Sequence, residues 1–206
     1  MSASYIPLTF DAPYAILNLD WMTALITARE DTPRAKPSYL IASNGTMQST
    51  RCKTALQPFL PASLNPNEPE VQPDSPFAKL IASYIKFTTG SHRVQIYKRW
   101  RIDKSDMVLQ KTRWSATAES PLEQILRAKG IKSVLVSGLG LSGVVTATVY
   151  RLFDLDYNVY VIRENVSELP LEQMAEVAHV MMDILLPKMA LSVISLEEAI
   201  EALRRS

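Results

Sequence analysis

The sequence predicts an α/β fold: three layers, α/β/α, around a central and mainly parallel sheet. Two observations carry that expectation. From Ser75 onward, short apolar runs alternate with stretches of helical spacing, the pattern of a parallel sheet covered on both faces. The length of 206 residues suits one well-buried domain and is short for two, so residues 1–206 are expected to form a single domain.

The first element is YAILNLD, Tyr14 to Asp20, an apolar run ending on an acid, which reads as a buried strand. WMTALITARE continues as a helix, with Asp20 placed to cap it. Residues 33–76 then hold eight of the 13 prolines. Proline lacks a backbone donor and disfavours helix in the residue before it, so this stretch reads as a long, mostly irregular excursion, in which short pieces such as SYLIAS read as strand. A loop of this length packs over a site or a partner surface more often than it serves as a linker.

Beyond it, SPFAKLIASYIKF has helical spacing, RVQIY reads as a strand and MVLQ as a second short one. SPLEQILRAKG opens as a capping box, with Ser120 as cap, Pro121 at the first helical position and Glu123 three residues on. Gly130 closes that helix. IKSVLV is a strand, SGVVTATVYRLF a helix and YNVYVI a strand. The segment from Leu169 to Lys188 places Leu171, Met174, Ala178, Met181, Met182 and Leu185 on one helical face. That face reads as core or subunit contact, and a homo-oligomer is expected. LSVI is the last strand, and SLEEAIEALRR the last helix, with a Ser195/Glu198 capping box.

Composition excludes several classes of function. A net charge of +1 carries no basic excess for nucleic acid. No apolar run is long enough to cross a bilayer. The single cysteine, Cys52, cannot form an internal disulfide, so a reducing, cytoplasmic setting is expected. His92 and His179 belong to no ligand cluster, and neither a metal nor a cofactor is expected.

One motif points elsewhere. GLGLSG, with Gly138, Gly140 and Gly143, is a formal G-x-G-x-x-G between a strand and a helix. The next strand ends in Arg163-Glu164, and Glu164 can serve as the acid for ribose hydroxyls. Against a dinucleotide site, the motif falls late in the chain, after three or four candidate strands, where the fingerprint usually follows the first.

KTRWSA (Lys111 to Ala116), then SPLEQIL, then IKSVLVSG, then VVTAT together resemble the isochorismatase-like hydrolases, a Rossmann-like fold. LNLDWM is similar to the context of that family's catalytic aspartate and places Asp20 there. The resemblance implies that Asp20 and Lys111 are catalytic and that Val144 occupies the position of the nucleophilic cysteine found in the amide-cleaving members. Met22 replaces a family glutamine, Thr117 a phenylalanine, and Glu164-Asn165 the family's D-A.

Valine has no nucleophilic atom, so covalent amide hydrolysis by that route is excluded in this register. The isochorismatase reaction asks for less: a placed acid to protonate a vinyl ether, and cations for carboxylates. The resemblance implies Asp20 as the acid, with Arg113 and Trp114 beside the substrate and the amides of Gly143 and Val145 as an anion site. The expected ligand is a small anionic molecule or, for an inactive descendant of the fold, a protein partner. Other readings stay open. Asp20 also reads as a helix cap, Lys111 as a solvated lysine, Arg113 and Trp114 as a stacked surface pair, and Ser142 as a helix cap.

Overall fold

The structure, a computed structural model, describes residues 8–10, 13–30, 58–83, 86–100, 102, 104 and 106–206. SYLIAS and Cys52 lie outside them. Six described strands form one sheet: β1 (Tyr14–Leu19), β2 (Pro58–Leu60), β3 (Met107–Val108), β4 (Ser133–Leu139), β5 (Asn158–Ser167) and β6 (Ser192–Ile194). Their order is β3-β2-β1-β4-β5-β6, and every pairing is parallel. The α/β expectation is met.

The helices are α1 (Thr23–Glu30), α2 (Pro76–Ala82), α3 (Leu122–Ala128), α4 (Thr146–Asp154), α5 (Met174–Ala178), α6 (Leu186–Lys188) and α7 (Leu196–Arg205). A π-helical turn, Leu141–Val145, leads into α4, and another, His179–Leu185, joins α5 to α6. Successive residues of β1 point to opposite faces and both faces are buried, as a central parallel strand requires. Leu17 and Leu19 pack with Leu126 of α3, Val149 of α4 and Met182. Tyr14 and Ile16 pack on the other face with Ala199 and Leu203 of α7. Met181 and Met182 belong to the core, as their spacing allowed.

Three element expectations need correction. RVQIY is not a strand: His92–Val94 is a 3-10 turn capped by Ser91, and Ile96 makes only an isolated antiparallel bridge to Met22. Its buried residues are Val94 and Tyr97, three apart, which is not the alternation of a strand. Within the mostly irregular excursion, Pro58–Leu60 is a strand that the spacing did not mark, paired with β1 and β3. The Ser120 capping box does not form. Ser120 Oγ donates to the Ala116 carbonyl and accepts from Leu122 N, while Glu123 turns outward to Arg151 at 2.8 and 3.2 Å. The Ser195/Glu198 box on α7 forms as read.

The chain leaves β1 toward β2 and leaves β4 toward β5, in opposite directions. The connections that leave the carboxyl ends of β1 and β4 therefore diverge, which makes this the switch point where open α/β sheets bind ligands.

Candidate active site

Asp20 stands immediately after β1, at φ 53°. This left-handed region is open to few residues besides glycine, and aspartate and asparagine are among those that tolerate it. The turn aims the carboxylate at two donors. Oδ1 accepts from the Ala62 amide at 2.8 Å and Oδ2 from Lys111 Nζ at 2.9 Å. Both oxygens are thus committed across the sheet end, and Asp20 does not cap α1.

Lys111 is 0% exposed. Its backbone is fixed beside residues 61–63 by two hydrogen bonds, from its own amide to the Pro61 carbonyl and to its carbonyl from Ser63 N. The ammonium also donates to the Arg113 carbonyl at 3.1 Å. A solvated strand-end lysine is the wrong description. Burial pushes the Asp20 carboxyl above the usual carboxylate range, and the charge and hydrogen bond of Lys111 and the Ala62 amide offset part of that rise. Such a group can hold or release a proton nearer neutrality than an exposed aspartate.

The pair lies in the wall of an open cavity of about 310 Å³. Val144 lines the same cavity, 8% exposed, with its side chain also part of the core. Met22 is fully buried and is not part of the lining. The cavity beside Val144 is therefore filled neither by Val144 nor by Met22.

Two glycines of GLGLSG answer to close packing and the third to backbone conformation. A Cβ on Gly138 would lie 2.6 Å from Leu19 Cβ, and one on Gly143 would lie 3.2 Å from the Trp114 ring. Gly140 sits at φ 81°. The amides of Gly143 and Val145, expected as an anion site, both donate to the Gly140 carbonyl, at 3.2 and 3.0 Å. The Ser142 amide is held by Glu168 Oε2 at 2.6 Å. Glu164, the expected ribose ligand, accepts from Leu196 N at 2.7 Å at the start of α7. The anion site on the Gly143 and Val145 amides and the nucleotide reading are both corrected by these engagements.

Arg113 and Trp114 reach the cavity but do not stack on one another. The Arg113 guanidinium lies 4.9 Å from the Phe77 ring centroid, donates to the Thr112 carbonyl at 2.9 Å and also bonds the Glu70 carbonyl. Trp114 covers Gly143 at the rim, 43% exposed. Because that ring is free to yield outward, Gly143→Ala is expected to cost less than about 1 kcal/mol in urea unfolding. The same substitution should change the indole emission of Trp114 relative to the parent chain, and unchanged emission would show that the ring does not rest there.

Two features were missed from sequence. Glu168 is buried just past β5, and no motif marks it. The apolar face of α2, Phe77, Leu80 and Ile81, lines the cavity. Its spacing was visible, but spacing cannot tell a cavity wall from a core face.

Among the described residues no group of three or more His, Cys, Asp or Glu is placed to hold a metal, and no helix is long and apolar enough to cross a membrane. Fold and site together define a class, an α/β protein with an open cavity at the switch point of its parallel sheet, where such folds bind ligands. The chain matches the model of the isochorismatase domain over residues 47–198 and belongs to that family of hydrolases. Asp20 and β1 precede the matched range, yet the structure joins them to Lys111 within it.

Among solved structures, an isochorismatase family protein from Burkholderia thailandensis is 18% identical, with a TM-score of 0.76 over 96% of this chain and 99% of that one. A cysteine hydrolase from Pseudomonas syringae pv. phaseolicola 1448A is 11% identical, with a TM-score of 0.76 over 100% and 99%. The N-carbamoylsarcosine amidase from Thermoplasma acidophilum is 19% identical, with a TM-score of 0.68 over 89% and 96%. At these identities the likeness shows the fold alone. No curated protein matches the chain.

Proposed function

We propose that the chain is a cysteine-independent hydrolase that cleaves a small molecule by acid/base catalysis from Asp20. The observation that carries this reading is the buried Asp20–Lys111 pair opening on a cavity beside Val144. Protonated Asp20 delivers its proton to the substrate, and the carboxylate left behind is stabilised by Lys111 and the Ala62 amide. Water entering the open cavity then adds to the activated carbon and gives its proton to the Asp20 carboxylate. The resulting hemiketal collapses, its ether C–O bond breaking as its hydroxyl proton passes to the leaving oxygen, to a carbonyl compound and an alcohol. A vinyl ether is the type of bond that yields to this sequence, because protonation at carbon creates the electrophile and no enzyme nucleophile is needed.

Cys52→Ala separates this route from a covalent one. We expect the variant to keep the parent rate on any substrate the chain turns over, and iodoacetamide to leave that rate unchanged. Loss of turnover on either treatment would sink cysteine independence.

A second reading, a catalytically silent binding module of the same fold, draws on one observation: Asp20 and Lys111 already satisfy each other, so the pair is stable without a substrate. That reading predicts ligand binding with no turnover, unchanged in kind by Asp20→Asn.

A further inference from the structure

We propose that Glu168 is a built-in anion that makes this cavity select uncharged, largely apolar substrates and turn carboxylates away. The proposal concerns the cavity of the hydrolase reading and rests on that reading only for the word substrate, since its test reads binding.

Glu168 follows β5 and is 4% exposed. Oε2 accepts from Ser142 N at 2.6 Å and Oε1 from Leu169 N at 2.9 Å, while its own amide meets Met174 Sδ at 3.2 Å. The carboxylate sits at the first turn after β4, on the amide that a ligand's anionic oxygen would otherwise seek. It also lines the cavity. A second anion brought to this end of the site meets the first at close range, where like charges repel.

The charged groups of the lining carry no cationic excess. The lining includes Asp20, Glu168, Lys111 and Arg113, two acids and two bases. Lys111 is committed to Asp20. Arg113 lies over Phe77 and donates to the Thr112 and Glu70 carbonyls. A carboxylate entering here gives up its hydration, and the Lys111 ammonium it would meet already donates to Asp20.

Much of the rest of the lining is apolar. Phe77, Leu80 and Ile81 recur at i, i+3 and i+4 on α2, and none is buried in the core. Leu64, Phe87 and Leu169 add to this apolar lining. An aromatic or aliphatic body gains contact on this wall, while the paired charges keep a small uncharged polar group near Asp20.

The test uses the full chain and two ligands of the same shape, benzamide and benzoate, titrated by calorimetry at neutral pH. The parent is expected to bind benzamide at least about tenfold more tightly than benzoate. Glu168→Gln keeps a carbonyl acceptor for one of the two amides and removes the charge, so it should narrow that preference to within about threefold. Equal or tighter binding of benzoate by the parent overturns the proposal, as does binding of neither ligand at millimolar concentration. An unchanged preference in folded Glu168→Gln also overturns it. If circular dichroism shows that variant unfolded, the parent's preference, repeated with methyl benzoate against benzoate, decides the outcome by the same criterion. Selective binding of the uncharged ligand without any turnover defeats the hydrolase reading alone, whereas efficient turnover of carboxylates defeats this proposal alone.

Discussion

Asp20→Asn is expected to lower turnover by about 10²–10⁴-fold, the range over which a positioned proton donor contributes. Asparagine keeps the left-handed backbone at φ 53°, so the loss reports the proton and not a refolded turn. The same variant should be less stable by about 3–5 kcal/mol in urea unfolding, because it leaves the fully buried Lys111 ammonium without its counter-charge.

Lys111→Met reverses the stranding. Asp20 can then escape its penalty by taking up a proton, which a stranded lysine cannot do by the same route. The sign follows from the raised Asp20 pKa. The folded chain holds this proton to higher pH than the unfolded chain. Asp20's contribution to stability is therefore complete below the ordinary carboxylate range and is lost as pH rises through the folded value. Removing Lys111 takes away an attraction that lowers this pKa, so the loss in Lys111→Met should shift to higher pH than in the parent. The double variant should be more stable than Asp20→Asn alone, since replacing both partners of a buried pair costs less than removing one. A double variant no better than the single would show that the pair is not the unit of stability here.

The pair was legible in the sequence because both residues stand in local contexts that survive: an apolar run ending on an acid, and a lysine opening KTRWSA. That they touch was not legible, since 91 positions separate them and the contact is set by which strands flank β1. Spacing named the strand before Asp20 and the helix after Val145, because periodicity reports what a segment buries. It failed at RVQIY, where apolar residues serve a turn against Met22, and at Pro58–Leu60, where a proline opens a strand. Glu168 was hidden for a related reason. A bulge between the Val136 and Gly138 pairings lets β5 run on to Ser167, past the end of the apolar run YNVYVI. The residue after such an irregularity has no expected direction, and only the fold shows it returning to Ser142.

The glycines of GLGLSG were the most visible feature and the most misleading, and Gly138 tests what they are for. It pairs with Leu19, the residue before Asp20. A Cβ there would meet Leu19 Cβ at 2.6 Å and the Leu19 carbonyl oxygen at 2.7 Å. One of those partners is backbone, so no rotamer change relieves the contact, and β1 must move away from β4. Gly138→Ala is expected to cost at least about 2 kcal/mol, as overpacking in a core does, and to lower the melting temperature by about 4 °C or more. Because Asp20 is the next residue along β1, the displacement should carry its carboxylate off line with Ala62 and Lys111. For the proton donor proposed above, a misplacement of about 1 Å is expected to cost about 10²-fold in rate. Gly130→Ala supplies the control. Its φ is 64°, and nothing lies within 4 Å of the added Cβ, so it should cost about 1 kcal/mol in backbone strain and leave the rate unchanged. A Gly138→Ala chain with the stability of the Gly130→Ala chain and the parent's rate would mean that close strand approach does not set the Asp20–Lys111 geometry.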